Sequence, residues 1–190
     1  KEGISPNEVT FICVLKACGS IGSVELGKEI HREISEQGLL GKDIVLGTAL
    51  VDMYAKCGVL EKAQDVLAEL LELDVVSWNA CISGYAKEGK SEGSLKMFEQ
   101  MKLENHIPTE ASFTSLLSAC NHDGVVDLGA NIFASMGRLY GLNKDINHFV
   151  LWVDLLGRAG DFVRAQNAMG GVPKHAILAV SLCLMSASRT

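Results

Sequence analysis

Apolar residues recur along this chain at helical spacing, in paired runs separated by turn-forming glycines. The first run of each pair covers Val9 to Ser20, Val45 to Cys57, Val76 to Lys87, Ala111 to His122 and Asn147 to Ala159, and a second run of similar length follows each. Between the two runs stand Gly22, Gly58, Gly89, Gly124 and Gly160, whose successive separations are 36, 31, 35 and 36 residues. Seven residues before each glycine lies an apolar side chain (Leu15, Val51, Ile82, Leu117, Val153), and five after lies a small residue (Gly27, Ala63, Ser94, Gly129, Ala165). Columns kept in phase define a helix-turn-helix repeat. The glycine suits the left-handed position that ends a first helix, and the small residue is expected to let two helix axes approach closely at their crossing. Alternating stretches such as residues 74–78 are too short for a strand and run into helical spacing.

Short linkers carry Pro6, Pro108, or the Asp43, Asp74 and Asp145 that immediately precede the next first helix, where a carboxylate complements the exposed amides and the helix dipole. A single hairpin cannot bury its apolar face, so neighbours must stack. The expected fold is therefore all-α: an α-solenoid of stacked helix-turn-helix repeats forming a right-handed superhelix, with the first helices lining its concave side. The expected division is the end of a preceding repeat at 1–7 and repeats at 8–43, 44–74, 75–109, 110–145 and 146–177, followed by a partial C-terminal helix at 178–190.

Period alone does not choose among helical-repeat families. The stretches VLGTALVDMYAKCG (45–58), DVVSWNACISGY (74–85), SFTSLLSAC (112–120) and VDLLGRAG (153–160) strongly resemble plant pentatricopeptide repeats. The order of long, short and standard units resembles the subclass associated with organellar RNA editing. The likeness covers almost the whole chain, with a poor match over 174–190.

That resemblance implies sequence-specific binding of single-stranded RNA, one nucleotide per repeat, with organellar transcripts positioned for editing or processing. The base is judged by the fifth and last residues of a repeat: Thr48 with Asp74, Asn79 with Thr109, and Thr114 with Asp145. An ionised carboxylate only accepts hydrogen bonds and guanine offers N1–H and N2–H, so Thr48 with Asp74 suits guanine, whereas the family's pairing rules suggest a pyrimidine at Asn79. The second residues Val9, Val45, Val76 and Ala111 fall where apolar side chains of adjacent repeats would sandwich each base; plain packing is the other reading of these positions. The implied partners are single-stranded RNA and an organellar editing-factor protein or a downstream deaminase domain. The implied location is the mitochondrion or the chloroplast.

Charge complicates this picture. With a formal net charge of -6 and a pI near 5.4, generic attraction to phosphates is disfavoured. One column runs the other way: Ser20, Lys56, Lys87, His122 and Arg158 stand thirteenth in their units, one turn before the glycine. Lys56, Lys87 and Arg158 read either as phosphate contacts or as cations stabilising helix C-termini. Glu61, Asp65, Glu69 and Glu72 read as a solvated outer face.

Little else suggests chemistry. The six cysteines contain no C-x-x-C pair, so neither a redox pair nor a zinc knuckle is predicted; buried, reduced thiols are expected. His31-Arg32-Glu33 spells the H-x-E of zinc deaminases without its companion C-x-x-C, and His31 falls in an apolar second-helix column with Leu67, Phe98, Phe133 and Met169, where a packed histidine is expected. Trp78 and Trp152 are expected in the core. No phosphate-binding loop or nucleophile-base-metal set is present, so no enzyme activity, cofactor or metal is expected, and no membrane span. The opening residues, lacking an initiating Met and a leader, are expected to come from within a longer protein. The alternative function is a protein-interaction scaffold, with apolar residues 177–185 as a surface for a helper protein.

Overall fold

The computed structural model describes residues 6–40 and 42–187. Most of the expected 1–7 segment, together with residues 188–190 of the expected final helix, lies outside them. Among the described residues there are eleven α-helices, one 3-10 turn at Lys174–Ala176 and no strand. The first helices are α1 (Glu8–Ile21), α3 (Ile44–Lys56), α5 (Val75–Lys87), α7 (Glu110–Asp123) and α9 (Ile146–Arg158). The second helices are α2 (Val24–Glu36), α4 (Leu60–Glu69), α6 (Ser91–Leu103), α8 (Val126–Tyr140) and α10 (Phe162–Met169), and α11 (Ile177–Ala187) ends the series. Each first helix begins one residue before its predicted run, and α11 starts at Ile177, one residue before the expected boundary.

All five turn glycines adopt positive φ, between 64° and 74°. This left-handed conformation costs an L-residue about 1–2 kcal/mol, which explains the phase-locked glycines. The first helices are capped as the linkers suggest. Asp43 Oδ1 accepts from the Val45 and Leu46 amides at 2.8 and 3.3 Å; Asp145 Oδ1 accepts from those of Asn147 and His148 at 2.9 and 3.1 Å. Asp74 Oδ1 accepts from the Ser77 amide at 2.7 Å, and Thr109 forms a capping box with Ser112.

The chain divides into two compact units, Lys1–Tyr85 and Ala86–Thr190. In the first, α1 packs on α2 and α3, and α3 packs on α4, around Leu15, Leu50, Val51, Met53 and Tyr54. α5 meets this core through Gly84, where an added Cβ would lie 2.9 Å from the Ala55 Cβ and 3.0 Å from Leu60. In the second unit α7 packs on α6, α8 and α9, and α9 on α10 and α11. Its core is aromatic: Phe113 lies edge-on to Phe98 and Tyr140 at 5.5 and 5.2 Å, and Phe133 stacks on Trp152 at 5.6 Å. The column seven residues before each glycine is wholly buried, Leu15, Val51, Ile82, Leu117 and Val153 all having 0% exposure, so these positions anchor every repeat.

At Gly27 and Gly129 the small residue also admits a side chain from the next repeat. A Cβ on Gly27 would fall 2.5 Å from the Met53 sulfur, and one on Gly129 would fall 2.6 Å from Leu155. Met53 and Leu155 belong to the first helix of the following repeat. The vacancy is thus a socket for the next repeat's side chain, which is how stacking selects a small residue there.

Candidate nucleic-acid interface

The starts of α3, α5 and α7 present the same short sequence of side chains: a capping residue (Asp43, Asp74, Thr109), an exposed second residue (Val45, Val76, Ala111), then a polar residue on the next turn (Thr48, Asn79, Thr114). Val9, Val45 and Val76 are 66%, 55% and 61% exposed, and Ala111 is also exposed. Plain packing therefore does not account for these positions in the folded chain. Three β-branched apolar residues held in water at equivalent places form a repeated apolar feature. Beside Val9 and Asp43 opens a groove of about 690 Å³, also lined by Glu8, Lys42, Leu70 and Glu72.

The paired polar residues are joined by partners that the sequence did not single out. In the first unit, Thr48 Oγ1 lies 2.7 Å from Ser77 Oγ, which donates to Asp74 Oδ1 at 2.6 Å. In the second, Thr114 Oγ1 lies 3.1 Å from His148 Nε2, while His148 Nδ1 lies 2.6 Å from Asp145 Oδ1. His148 is fully buried, and its remaining neighbours are the Glu110 carbonyl at 3.1 Å and the Asp145 amide at 3.2 Å. Partial burial is the largest influence on the Asp145 carboxyl and pushes it upward. The His148 amide and side chain and the Asn147 amide outweigh that effect and hold it below the usual carboxylate range. Asn79 is half-buried on α5, and Thr109 is half-buried at the start of α7.

Ser77 and His148 each stand three residues after a capping Asp. The capping-box signature puts Glu or Gln at that place, so Ser and His there pass unnoticed. Searching that register for any polar residue would have found both.

The basic column is unevenly engaged. Lys56 Nζ pairs with Asp52 at 2.6 Å, and its stem lies over Gly19, where an added Cβ would be 3.3 Å from Lys56 Cδ. Arg158 donates to the Asn121 carbonyl and side-chain oxygens at 3.2 and 3.3 Å, meeting the last turn of the preceding first helix. Lys87 and His122 are exposed. Both readings of the column thus find material: Arg158 satisfies a helix terminus, while Lys87 presents charge to solvent.

Elsewhere the chemistry is quiet. His31 Nδ1 lies 3.0 Å from Tyr54 Oη, and burial lowers the imidazole pKa below its ordinary value, with Glu69 opposing and Lys62 assisting. Burial pushes Cys81 up to about 12 and Cys120 up to about 11, which makes both poor nucleophiles. Trp78 and Trp152 are buried, at 4% and 7% exposure. Among the described residues no group of His, Cys, Asp and Glu could hold a metal ion, and no helix is long and apolar enough to cross a membrane.

Stacked helical hairpins with a repeated capped edge define the molecule as an all-α helical-repeat solenoid. Solved structures share this architecture. The chain matches the pentatricopeptide repeat protein PPR10 from maize at a TM-score of 0.76 and 23% identity, over 92% of this chain and 26% of that one. It matches PPR10 in complex with an 18-nt psaJ RNA element at a TM-score of 0.79 and 22% identity, over 96% and 26%. Residues 48–75 match the PPR repeat and residues 73–122 the PPR repeat family.

Sequence relatives point the same way. Pentatricopeptide repeat-containing protein At5g56310 of Arabidopsis thaliana is 39% identical over 98% of this chain and 35% of its own length. The mitochondrial protein At3g02330 of the same plant is 40% identical over 92% and 19%. The chain belongs to the pentatricopeptide-repeat family, and it spans about a third or less of the length of these relatives.

Proposed function

We propose that this chain reads single-stranded RNA, one nucleotide per repeat, as part of a plant organellar protein that positions transcripts for editing or processing. The observation that carries the reading is the repeated edge at the start of the first helices. Exposed Val45 and Val76 flank Thr48 and Asp74, which are joined through Ser77, and exposed Ala111 precedes Thr114, which is joined to Asp145 through His148, so an apolar face to cover a base lies next to polar groups to test its edge. The RNA complex of PPR10, which shares the fold, supports it. The mitochondrial relative supports an organellar setting. The first helices start at residues 8, 44, 75, 110 and 146, and α11 starts at 177, spacings that fit the long, short and standard order of the editing-associated subclass.

On this reading Thr48 with Asp74 and Thr114 with Asp145 each face a guanine, and Asn79 with Thr109 faces a pyrimidine. Lys56, Lys87 and Arg158 lie along the phosphate path, and Val9, Val45, Val76 and Ala111 cover the bases. The array does no chemistry itself. An editing-factor protein or a downstream deaminase domain acts on the strand it holds. A net charge of -6 makes base contacts carry a larger share of the binding than in a basic protein.

Fluorescence anisotropy at fixed low salt tests this: a short strand with guanine followed by a pyrimidine binds more tightly than a scrambled strand of the same composition. Equal binding of the two defeats the base assignments. A second reading, a protein scaffold, is favoured by α11, whose Leu178, Leu182 and Met185 are 73%, 58% and 58% exposed. RNA binding that ignores sequence, together with capture of a helper protein lost on Leu182→Glu, would favour the scaffold.

A further inference from the structure

The pairs Thr48 with Asp74 and Thr114 with Asp145 contain the same two residue types, yet a different third residue joins each. We infer that these third residues, Ser77 and His148, are specificity-determining positioning residues: each ties the threonine hydroxyl to the aspartate so that the pair offers a base acceptors only. The inference rests on the RNA-reading role proposed above and concerns how that role discriminates among bases.

The placement of the hydrogens decides which groups can accept. The Asp74 carboxylate, when ionised, can only accept, so the Ser77 hydroxyl hydrogen lies on the 2.6 Å line to Oδ1. The Ser77 oxygen can then only accept across the 2.7 Å contact to Thr48, and Thr48 spends its one hydrogen there. What remains for a ligand is a lone pair on Thr48 Oγ1 and the second carboxylate oxygen of Asp74. In the second unit Thr114 gives its hydrogen to the Glu110 carbonyl at 2.9 Å. His148 Nε2 also lies 3.1 Å from that carbonyl, which can only accept, so Nε2 carries a hydrogen. Thr114 Oγ1, 3.1 Å from Nε2, receives a share of it, and this N–H keeps the hydroxyl hydrogen turned to the Glu110 carbonyl; without the imidazole that hydrogen can turn to a ligand instead.

Both threonines are therefore stripped of donor capacity, by two different routes. Two acceptors side by side match the adjacent N1–H and N2–H of guanine, whereas adenine sets its N1 lone pair against them. A hydroxyl left free would turn its hydrogen toward either edge and tolerate both. Its neighbours also differ in rigidity: a serine hydroxyl rotates, while the imidazole is buried and held on both ring nitrogens.

The test measures the guanine-to-adenine affinity ratio at the nucleotide facing each repeat, using short strands that differ only there. Ser77→Ala and His148→Ala should each lower the ratio by about tenfold at their own position and leave the other unchanged. Ser77→Thr and His148→Ser restore a hydroxyl at the bridging site and should recover most of the ratio. His148→Ala and His148→Ser leave similar cavities, so a merely structural role would move both alike. Thr48→Val provides the reference for loss of base reading at the first site. If Thr48→Val abolishes the guanine preference while both alanine variants keep it, the bridging role is wrong and the RNA reading stands. If the unmodified chain shows no preference at either position, both are wrong.

Discussion

The two compact units solve the same task with different materials. Residues up to Tyr85 build their core from Leu15, Leu50, Met53 and Tyr54 and join Thr48 to Asp74 through Ser77. Residues from Ala86 onward use Phe98, Phe113, Phe133, Tyr140 and Trp152 and join Thr114 to Asp145 through buried His148. The caps, turn glycines and anchor column are shared. The difference teaches that the repeat fixes the backbone of the edge, while one further side chain decides where the hydrogens of that edge point.

The comparison can be broken first at its cores. Leu50→Ala and Leu117→Ala remove side chains with 0% exposure, and each should cost about 2–5 kcal/mol in urea unfolding. Hydrogen exchange should quicken first in the unit that carries the substitution. Equal acceleration in both would contradict two separately packed cores.

The shared turns give a smaller effect of equal size in the two units. Gly58 and Gly124 have φ of 74° and 71°, so Gly58→Ala and Gly124→Ala should each lose about 1–2 kcal/mol, read from the same denaturation curves. A cost at one site only would show that the turns are not equivalent.

Much of this architecture was legible in the sequence. The glycine phase located the turns, and Asp43, Asp74 and Asp145 marked the helix starts, because left-handed backbone and exposed amides each demand particular residue types. That Gly27 and Gly129 are small was legible, but the side chains that fill the space beside them were not. Their sockets are filled by Met53 and Leu155, whose reach depends on how repeats stack and not on local pattern. Ser77 and His148 escaped notice for a similar reason. Their partners Thr48 and Thr114 lie 29 and 34 residues away, and only folding brings them together.

Charge offers a finer contrast. In RNA binding, Lys87→Ala should reduce the slope of log affinity against log salt by about 1. Lys56→Ala and Arg158→Ala should change it less, because Asp52 and Asn121 already engage those cations. A larger effect at Lys56 than at Lys87 would reverse the proposed phosphate path.

The smallest effect belongs to the first unit. His31 is held neutral beside Tyr54, with its pKa lowered from the ordinary value of 6.5 mainly by burial. The unfolded chain therefore binds the proton more readily, and stability is full above pH 6.5 and falls as pH drops from there through the folded-state value. Melting temperature followed from pH 7.5 to pH 5 should decline in the unmodified chain and decline less in His31→Gln. Identical profiles would remove His31 from the account.

The central claim is that successive repeats read successive bases. Selection of this chain's ligands from a pool of randomised short RNAs, at one fixed low salt concentration, tests it most directly. Guanine, pyrimidine and guanine should be enriched at consecutive positions, contributed by the repeats beginning at residues 44, 75 and 110. Recovered strands with no positional preference would contradict it.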